Sequence, residues 1–370
     1  MSNLQYPSKV LIAALDWGLG HATRIIPIVN YFKAKNCEVA IASSGNALAL
    51  LSQYFDDLRC FHLPEYAVDY KYKSMLTNML FQLPKIKKTI AAEHKKLELI
   101  LEDFPADLII SDNRYGIYKH GINSVFITHQ LQILPPKFLN FTTDALRIAH
   151  LKLLANFDQI WVPDYKDEED SLAGKLSHIK HNVANLYYIG PWSRFSHSYI
   201  SQQAISNEGL RILAMASGPK SARDKFEEIV LAQLEKHSMK SYFLRGLPNS
   251  KSAAVSSSHI TSYNHLNDNE LTRLIAACDL IICQSGYSSI MDLLALKKKA
   301  IFIPTKGQTE QEYLAERFMK KKQFLSQEID SFNLEKAIAE SVSYIGFNTK
   351  KCNDVSLVEA ALQNLSTSQR

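Results

Sequence analysis

Residues 278–318 read CDLIICQSGYSSIMDLLALKKKAIFIPTKGQTEQEYLAERF, and this stretch decides the fold. Two short apolar runs, DLIICQS (279–285) and KAIFIP (299–304), have the length and branched content of buried strands. SSIMDLLALK between them and QEYLAERFMKKK after them carry helical spacing. Strand, helix, strand, helix is the grammar of a parallel sheet covered on both faces. Ser285, Ser289 and Asp292 stand four and three residues apart and share one helical face, with Ile290, Leu293 and Leu294 turned to the core. A helix N-terminus with Gly286 permitting close approach suits a diphosphate, and Asp292 two turns in can accept hydrogen bonds from ribose hydroxyls. The plainer alternative is a capping serine and a solvent-facing aspartate. That alternative does not account for KGQTEQE (306–312), which puts Glu310 and Gln311 just past the next strand. Ligands bind open α/β sheets at the carboxyl ends of strands, and a carboxylate beside an amide suits sugar hydroxyls.

The same rhythm extends in both directions. LRILAMAS (210–217) and SYFLRG (241–246) read as strands, with ARDKFEEIVLAQLEKH and DNELTRLIAAC as helices. Ser217, Gly218 and Lys220 in MASGPKSARDKF precede the first of these helices, a phosphate-friendly turn that is weak evidence alone. In the first half KVLIAAL (9–15), EVAIAS (38–43), ADLIIS (106–111), SVFIT (124–128), QIWVP (159–163) and LYYIG (186–190) read as strands. Periodicity lapses near 189–209, where Pro, Gly and Ser accumulate. We therefore expect an α/β chain of two Rossmann-like parallel-sheet domains, 1–192 and 193–345, with 346–370 a closing helix; the pattern does not say on which domain it docks, and a return to the first is one option.

ALDWGLGHATR (14–24) sits where the first strand hands over to a helix. A dinucleotide fingerprint needs a third glycine where Thr23 stands, and no GK[ST] follows to make a Walker loop. What remains is a tight turn built on Gly18 and Gly20, with His21 in the first helical turn. A histidine there is suited to act as a general base; the alternative is a first-turn polar residue that serves only the fold. SDNRYG (111–116) and THQ (128–130) also follow strands and direct Asp112, Arg114 and His129 to the same end of the sheet. Asp112 is a rival base or the residue that orients His21.

The 370 residues carry a formal charge of +5, which favours anionic partners without naming one. Five cysteines without a CxxC pair argue against a disulfide framework and for a reducing, cytoplasmic setting. The apolar run near the N-terminus is short for a signal peptide, and no stretch approaches the length of a membrane span. Residues 70–96 interleave seven lysines with apolar side chains around Pro84. They read either as a solvated amphipathic pair of helices broken at the proline or as a contact for an anionic membrane surface. No RNA-binding signature appears, so nucleic acid is not an expected partner, and no metal-ligand spacing or organic cofactor motif is found.

On these residues the chain resembles the GT-B glycosyltransferases, and family 28 in particular, whose bacterial example makes peptidoglycan. The likeness is most specific over 278–318, fair at GLGHATR and poor across 60–150. It implies that the second domain binds a nucleotide sugar, UDP-linked in that family, and that the first binds the acceptor across a cleft. By position, Ser285, Gly286, Tyr287 and Ser288 would line the diphosphate. Asp292 would hold the ribose, one methylene shorter than the family's usual Glu. Glu310 and Gln311 would meet the donor sugar, and Leu266 would lie near the base. Ser217 and Gly218 would form the second domain's small-residue loop, with Pro219 and Lys220 departing from its pattern. Gly18, Gly20 and His21 match the first domain's glycine loop, with Arg114 and His129 on the acceptor side. The implied activity is inverting, metal-independent transfer to a lipid, lipid-linked or saccharide hydroxyl, at the inner face of a membrane. A nucleotide-sugar hydrolase or epimerase on the same fold is the alternative, since related hydrolases also carry GxGHxxR. A non-catalytic module for an anionic polymer is a third.

Overall fold

The computed structural model of the chain describes residues 6–66, 83–181, 183–196, 209–248, 250, 256–347 and 351–367. These cluster into two compact units. One holds the chain up to Asp16, His21–Ser193 and the segment from Lys351 onward; the other holds Trp17–Gly20 and Arg194–Lys350.

The first unit is built from β1 (Lys9–Ala14), α1 (Leu19–Ala34), β2 (Glu38–Ser43), α2 (Gly45–Tyr54), β3 (Arg59–His62), α3 (Leu83–Asp103), β4 (Leu108–Asp112), β5 (Asn123–Ile127), α4 (Thr143–Leu154), β6 (Gln159–Val162) and β7 (Leu186–Tyr188). Its seven strands run in the order β3-β2-β1-β4-β5-β6-β7, every pair parallel. The central strand β1 pairs with β2 and β4, and Val10 to Ala14 have no exposed surface. Burial on both faces explains why these runs are continuously apolar.

The second unit holds β8 (Ile212–Met215), α5 (Lys220–Leu234), β9 (Ser241–Leu244), β10 (Ile260–Tyr263), α6 (Asp268–Ala277), β11 (Leu280–Cys283), α7 (Tyr287–Leu296), β12 (Ala300–Phe302), α8 (Thr309–Lys320), β13 (Leu325–Ser326) and α9 (Leu334–Ser341). The order is β10-β9-β8-β11-β12-β13, again all parallel. Asn267 caps α6 with a full capping box: its side chain accepts from the Glu270 amide, and the Glu270 side chain accepts from the Asn267 amide. Both sheets are doubly wound. Their order reverses between β1 and β4 in the first and between β8 and β11 in the second, the places where such sheets take ligands.

The last helix, α10 (Val355–Thr367), returns to the first unit and buries Val358, Ala361, Leu362 and Leu365. Gln159 Nε2 donates to the Ala361 carbonyl at 2.8 Å, and Tyr6 Oη and Lys35 Nζ both donate to Glu359 Oε1 at 2.9 Å.

Three strands escape the sequence reading: β3, β10 and β13. Each lies at the edge of its sheet. An edge strand has one neighbour and partial burial, so it lacks the unbroken apolar run of the inner strands. Pro84 falls in the first turn of α3, where a missing amide hydrogen costs nothing; the expected partner helix before it lies outside the described residues. In the described part of 70–96, Lys85, Lys87, Lys88 and Lys95 are exposed while Glu93 is buried; residues 70–82 lie outside the described residues. Ser285 does not share the helical face of Ser289 and Asp292, because α7 begins only at Tyr287 and the Ser285 side chain is fully buried.

Candidate active site

The exits of β1 and β4 flank the reversal point of the first sheet. In the register of this pair Ala14 stands beside Asp112, the last residue of β4. The Leu15 amide donates to the Asp112 carbonyl at 3.1 Å, so the turn leaving β1 is tied to β4 before α1 begins. Gly18 holds a φ of +95°, a left-handed conformation that suits glycine. Asp16 accepts the Ala47 amide at 2.9 Å and fixes the start of α2. These constraints place His21, the third residue of α1, over the carboxylate of Asp112.

His21 Nδ1 lies 2.7 Å from Asp112 Oδ1. The carboxylate is fully buried, whereas a fifth of the His21 side chain is exposed. Asp112 is clamped from below by Arg24, one helical turn beyond His21: Nε donates to Oδ2 at 2.7 Å and Nη2 donates to Oδ1. Asn113 adds a bond from Nδ2 to Oδ1 at 3.0 Å, its left-handed φ of 55° folding the amide back. Burial alone would raise the Asp112 carboxyl, but Arg24 and His21 outweigh it and hold the group well below the usual carboxylate range. The anion is therefore permanent at neutral pH. On the other side Arg24 Nη1 reaches His129 Nδ1 at 3.0 Å. Of the first-domain candidates, the fold thus gathers His21, Asp112 and His129 into one cluster, with Gly18 in the turn that leads to it and Gly20 in the first turn of α1.

Arg114 departs from the expected acceptor side. It is fully buried and donates to the Ala14 carbonyl at 2.7 Å, Ser44 Oγ at 2.6 Å, the Pro64 carbonyl at 2.9 Å and Glu93 Oε1 at 3.0 Å. The guanidinium sews together the chain leaving β1, β2 and β3, and it faces protein on all sides.

Arg24 and Asn113 were not singled out by the sequence reading. The signals were present, in the arginine that completes GLGHATR and in an asparagine directly after a strand-end aspartate.

The reversal point of the second sheet lies between the exits of β8 and β11. Gln284 bridges them: its Oε1 accepts the Ser217 amide at 3.0 Å and Ser217 Oγ at 3.2 Å, and its Nε2 donates to the Ser217 carbonyl at 3.1 Å. Gln284 also escaped the sequence reading. Gly218 follows with a φ of +81°, and Lys220 pairs with Asp224 within α5. Ser285 Oγ donates to the Gln311 carbonyl at 2.7 Å, and Gln311 Oε1 accepts the Thr305 amide at 2.8 Å. Ser285 and Gln311 thus brace the loops after β11 and β12 through their side chains. Gly286 is the N-cap of α7 and contributes no side-chain acceptor, and the first turn holds no acidic residue, which leaves that end electropositive. Tyr287 is buried, while Ser288, Asp292 and Glu310 are half-buried. Leu266, also half-buried, directly precedes the cap of α6.

Among the described residues no cluster of His, Cys, Asp and Glu is placed to hold a metal ion. Among the same residues no helix is long and apolar enough to cross a membrane.

Residues 224–363 match the family model described as the glycosyltransferase family 28 C-terminal domain. No curated protein sequence matches the chain. Solved structures do. A glycotransferase of kitacinnamycin superimposes with a TM-score of 0.59 at 13% identity, covering 98% of this chain and 95% of that one. MurG of Acinetobacter baumannii superimposes with a TM-score of 0.52 at 10% identity, covering 98% and 94%. The spinosyn rhamnosyltransferase SpnG, in complex with thymidine diphosphate, gives 0.59 at 13%, covering 97% and 95%. At these identities the structural likeness establishes the GT-B fold. The sequence match gives residues 224–363 a family 28 C-terminal domain, and the two findings together support a family 28-like GT-B glycosyltransferase.

Proposed function

We propose that the chain is an inverting glycosyltransferase that takes a sugar from a nucleoside diphosphate, UDP being the first to test, and delivers it to a hydroxyl of a lipid-linked or saccharide acceptor. One observation carries the reading: a solvent-reaching imidazole whose inner nitrogen is held at 2.7 Å by a buried, permanently ionised carboxylate. With Nδ1–H donated to Asp112, Nε2 of His21 is the basic nitrogen. It takes the proton of the acceptor hydroxyl as that oxygen bonds to the anomeric carbon and the bond from that carbon to the diphosphate oxygen breaks. Asp112 stabilises the imidazolium that forms. The departing diphosphate gains charge, which the electropositive start of α7 is suited to stabilise. Asp292 and Glu310 are the side chains we assign to ribose and sugar hydroxyls, and Gly286, Tyr287 and Ser288 to the diphosphate through their backbone. SpnG was solved with thymidine diphosphate, which supports a nucleoside diphosphate as the leaving group. We assign residues 1–192 to the acceptor and 193–345 to the donor. The exposed lysines of α3 suit an anionic membrane surface.

The test is a thermal-shift screen of nucleotide sugars followed by turnover of the one that binds. A ligand at a hundred times its Kd adds about 2.7 kcal/mol of stability, so a true donor stands out. His21→Ala should lower kcat by about 100-fold or more while leaving the donor KM within a few-fold. Fast, stoichiometric nucleotide release without acceptor would instead identify a nucleotide-sugar hydrolase. The absence of any shift would leave a binding module for an anionic polymer.

A further inference from the structure

Arg24 touches more than its ion-pair partner. Its side chain is almost wholly buried, and its three nitrogens reach three groups: Asp112 from Nε and Nη2, His129 Nδ1 from Nη1, and His21 Nδ1 from Nη2 at 3.0 Å. A guanidinium only donates hydrogen bonds. His129 Nδ1 must therefore accept, and the proton of that ring sits on Nε2. The contact with His21 is of another kind. Were His21 Nδ1 to accept from Arg24, its lone pair would face the Asp112 carboxylate at 2.7 Å with no hydrogen between them. Nδ1 of His21 therefore carries the proton and donates to Oδ1. Nη2 of Arg24 donates to the same oxygen, so the two nitrogens lie 3.0 Å apart because they converge on one acceptor.

We propose that Arg24 is a positioning residue that sets the two histidines in opposite neutral tautomers. His21 is Nδ1–H with a basic Nε2, and His129 is Nε2–H with a hydrogen to donate from that nitrogen. Asp112 commands one ring, Arg24 commands the other, and the ion pair between them locks both. The catalytic consequence rests on the reading of His21 as the base; the tautomers do not.

The experiment is long-range 1H–15N correlation on the full-length protein with ring-labelled histidine at neutral pH, the two rings assigned with His21→Gln and His129→Gln. The wild type should show His21 as Nδ1–H and His129 as Nε2–H. Arg24→Lys keeps a cation beside Asp112 but gives up the fork that reaches both partners. In it His21 should stay Nδ1–H while His129 moves to a mixture of tautomers, and kcat should fall about 10- to 100-fold with the donor KM nearly unchanged. Arg24→Met should release His129 in the same way, and if it does not fold, the wild-type and Arg24→Lys spectra still decide. Either His129 as Nδ1–H in the wild type, or His129 unchanged in Arg24→Lys, would overturn the proposal. Full turnover in His21→Ala would overturn only the assignment of the base, since the spectra are read without any reaction.

Discussion

Two buried arginines of the first unit, Arg24 and Arg114, illustrate how differently similar groups act. Arg24 ends at a carboxylate beside a partly exposed imidazole, whereas Arg114 ends on backbone carbonyls, Ser44 and Glu93 deep in the interior. Removing one member of a buried pair leaves the other charge stranded, at a cost of about 3–5 kcal/mol. Arg114→Met should therefore lower the unfolding free energy obtained from denaturant titration by that amount, and the variant that still folds should keep its acceptor KM. A large KM change at wild-type stability would return Arg114 to the acceptor site. His150 makes a second residue-scale prediction. It sits on α4 with Tyr115 Oη 3.0 Å from Nε2, and burial pushes its pKa down from 6.5 to about 4. The native state thus binds a proton less readily than the unfolded chain. Stability is full above pH 6.5 and falls as pH is lowered through the window between 6.5 and 4. A shift of this size corresponds to a loss of ~3 kcal/mol across the window. Urea titrations at pH 7.5 and 4.5 should show that loss in the wild type and a smaller one in His150→Phe. No pattern in the sequence shows that either residue is interior, because burial depends on what other segments place around it.

At the scale of elements, the inner strands and the helices around them were legible in the sequence, and of the edge strands only β7 was, while β3, β10 and β13 were not. β1, β2, β4 and β11 are buried at nearly every position and mostly apolar, because both faces are covered. β3 reads RCFH and β10 reads ITSY, with exposed or half-buried positions that dilute the pattern. Helix starts were placed within a few residues, yet the partners at those starts were hidden. Gly45 shows the reason. It opens α2 with a φ of +49°, and a Cβ there would lie 1.9 Å from Asp16 Oδ2, the carboxylate that caps the helix from the turn after β1. Gly45→Ala should cost about 1–3 kcal/mol in thermal or denaturant unfolding. A neutral result would mean that Asp16 moves aside freely and that the cap contributes little.

At the scale of the molecule, the chain crosses from one unit to the next and then returns. α10 buries four apolar side chains in the first unit and engages Gln159, Tyr6 and Lys35. Burial of this kind contributes on the order of 5 kcal/mol. Removing 351–370 should lower the unfolding temperature of the first unit in scanning calorimetry by several degrees or more. An unchanged transition would show that the helix is an appendage.

The sequence by itself determined two parallel-sheet α/β units and the strand ends at which a ligand can bind; the strand orders, and with them the reversal points, came from the tertiary structure. Apolar periodicity and glycine turns are local signals that one segment carries whole. It also singled out His21 and Asp112, since a polar residue just past a buried strand has few places to point. Only the tertiary structure decided that Arg24 clamps Asp112 and reaches His129, that Arg114 is interior, and that Ser285 and Gln311 face each other. Those roles rest on hydrogen bonds between residues 21 to 105 positions apart, 88 of them between Arg24 and Asp112. Such geometry exists only once parallel strands bring their ends together.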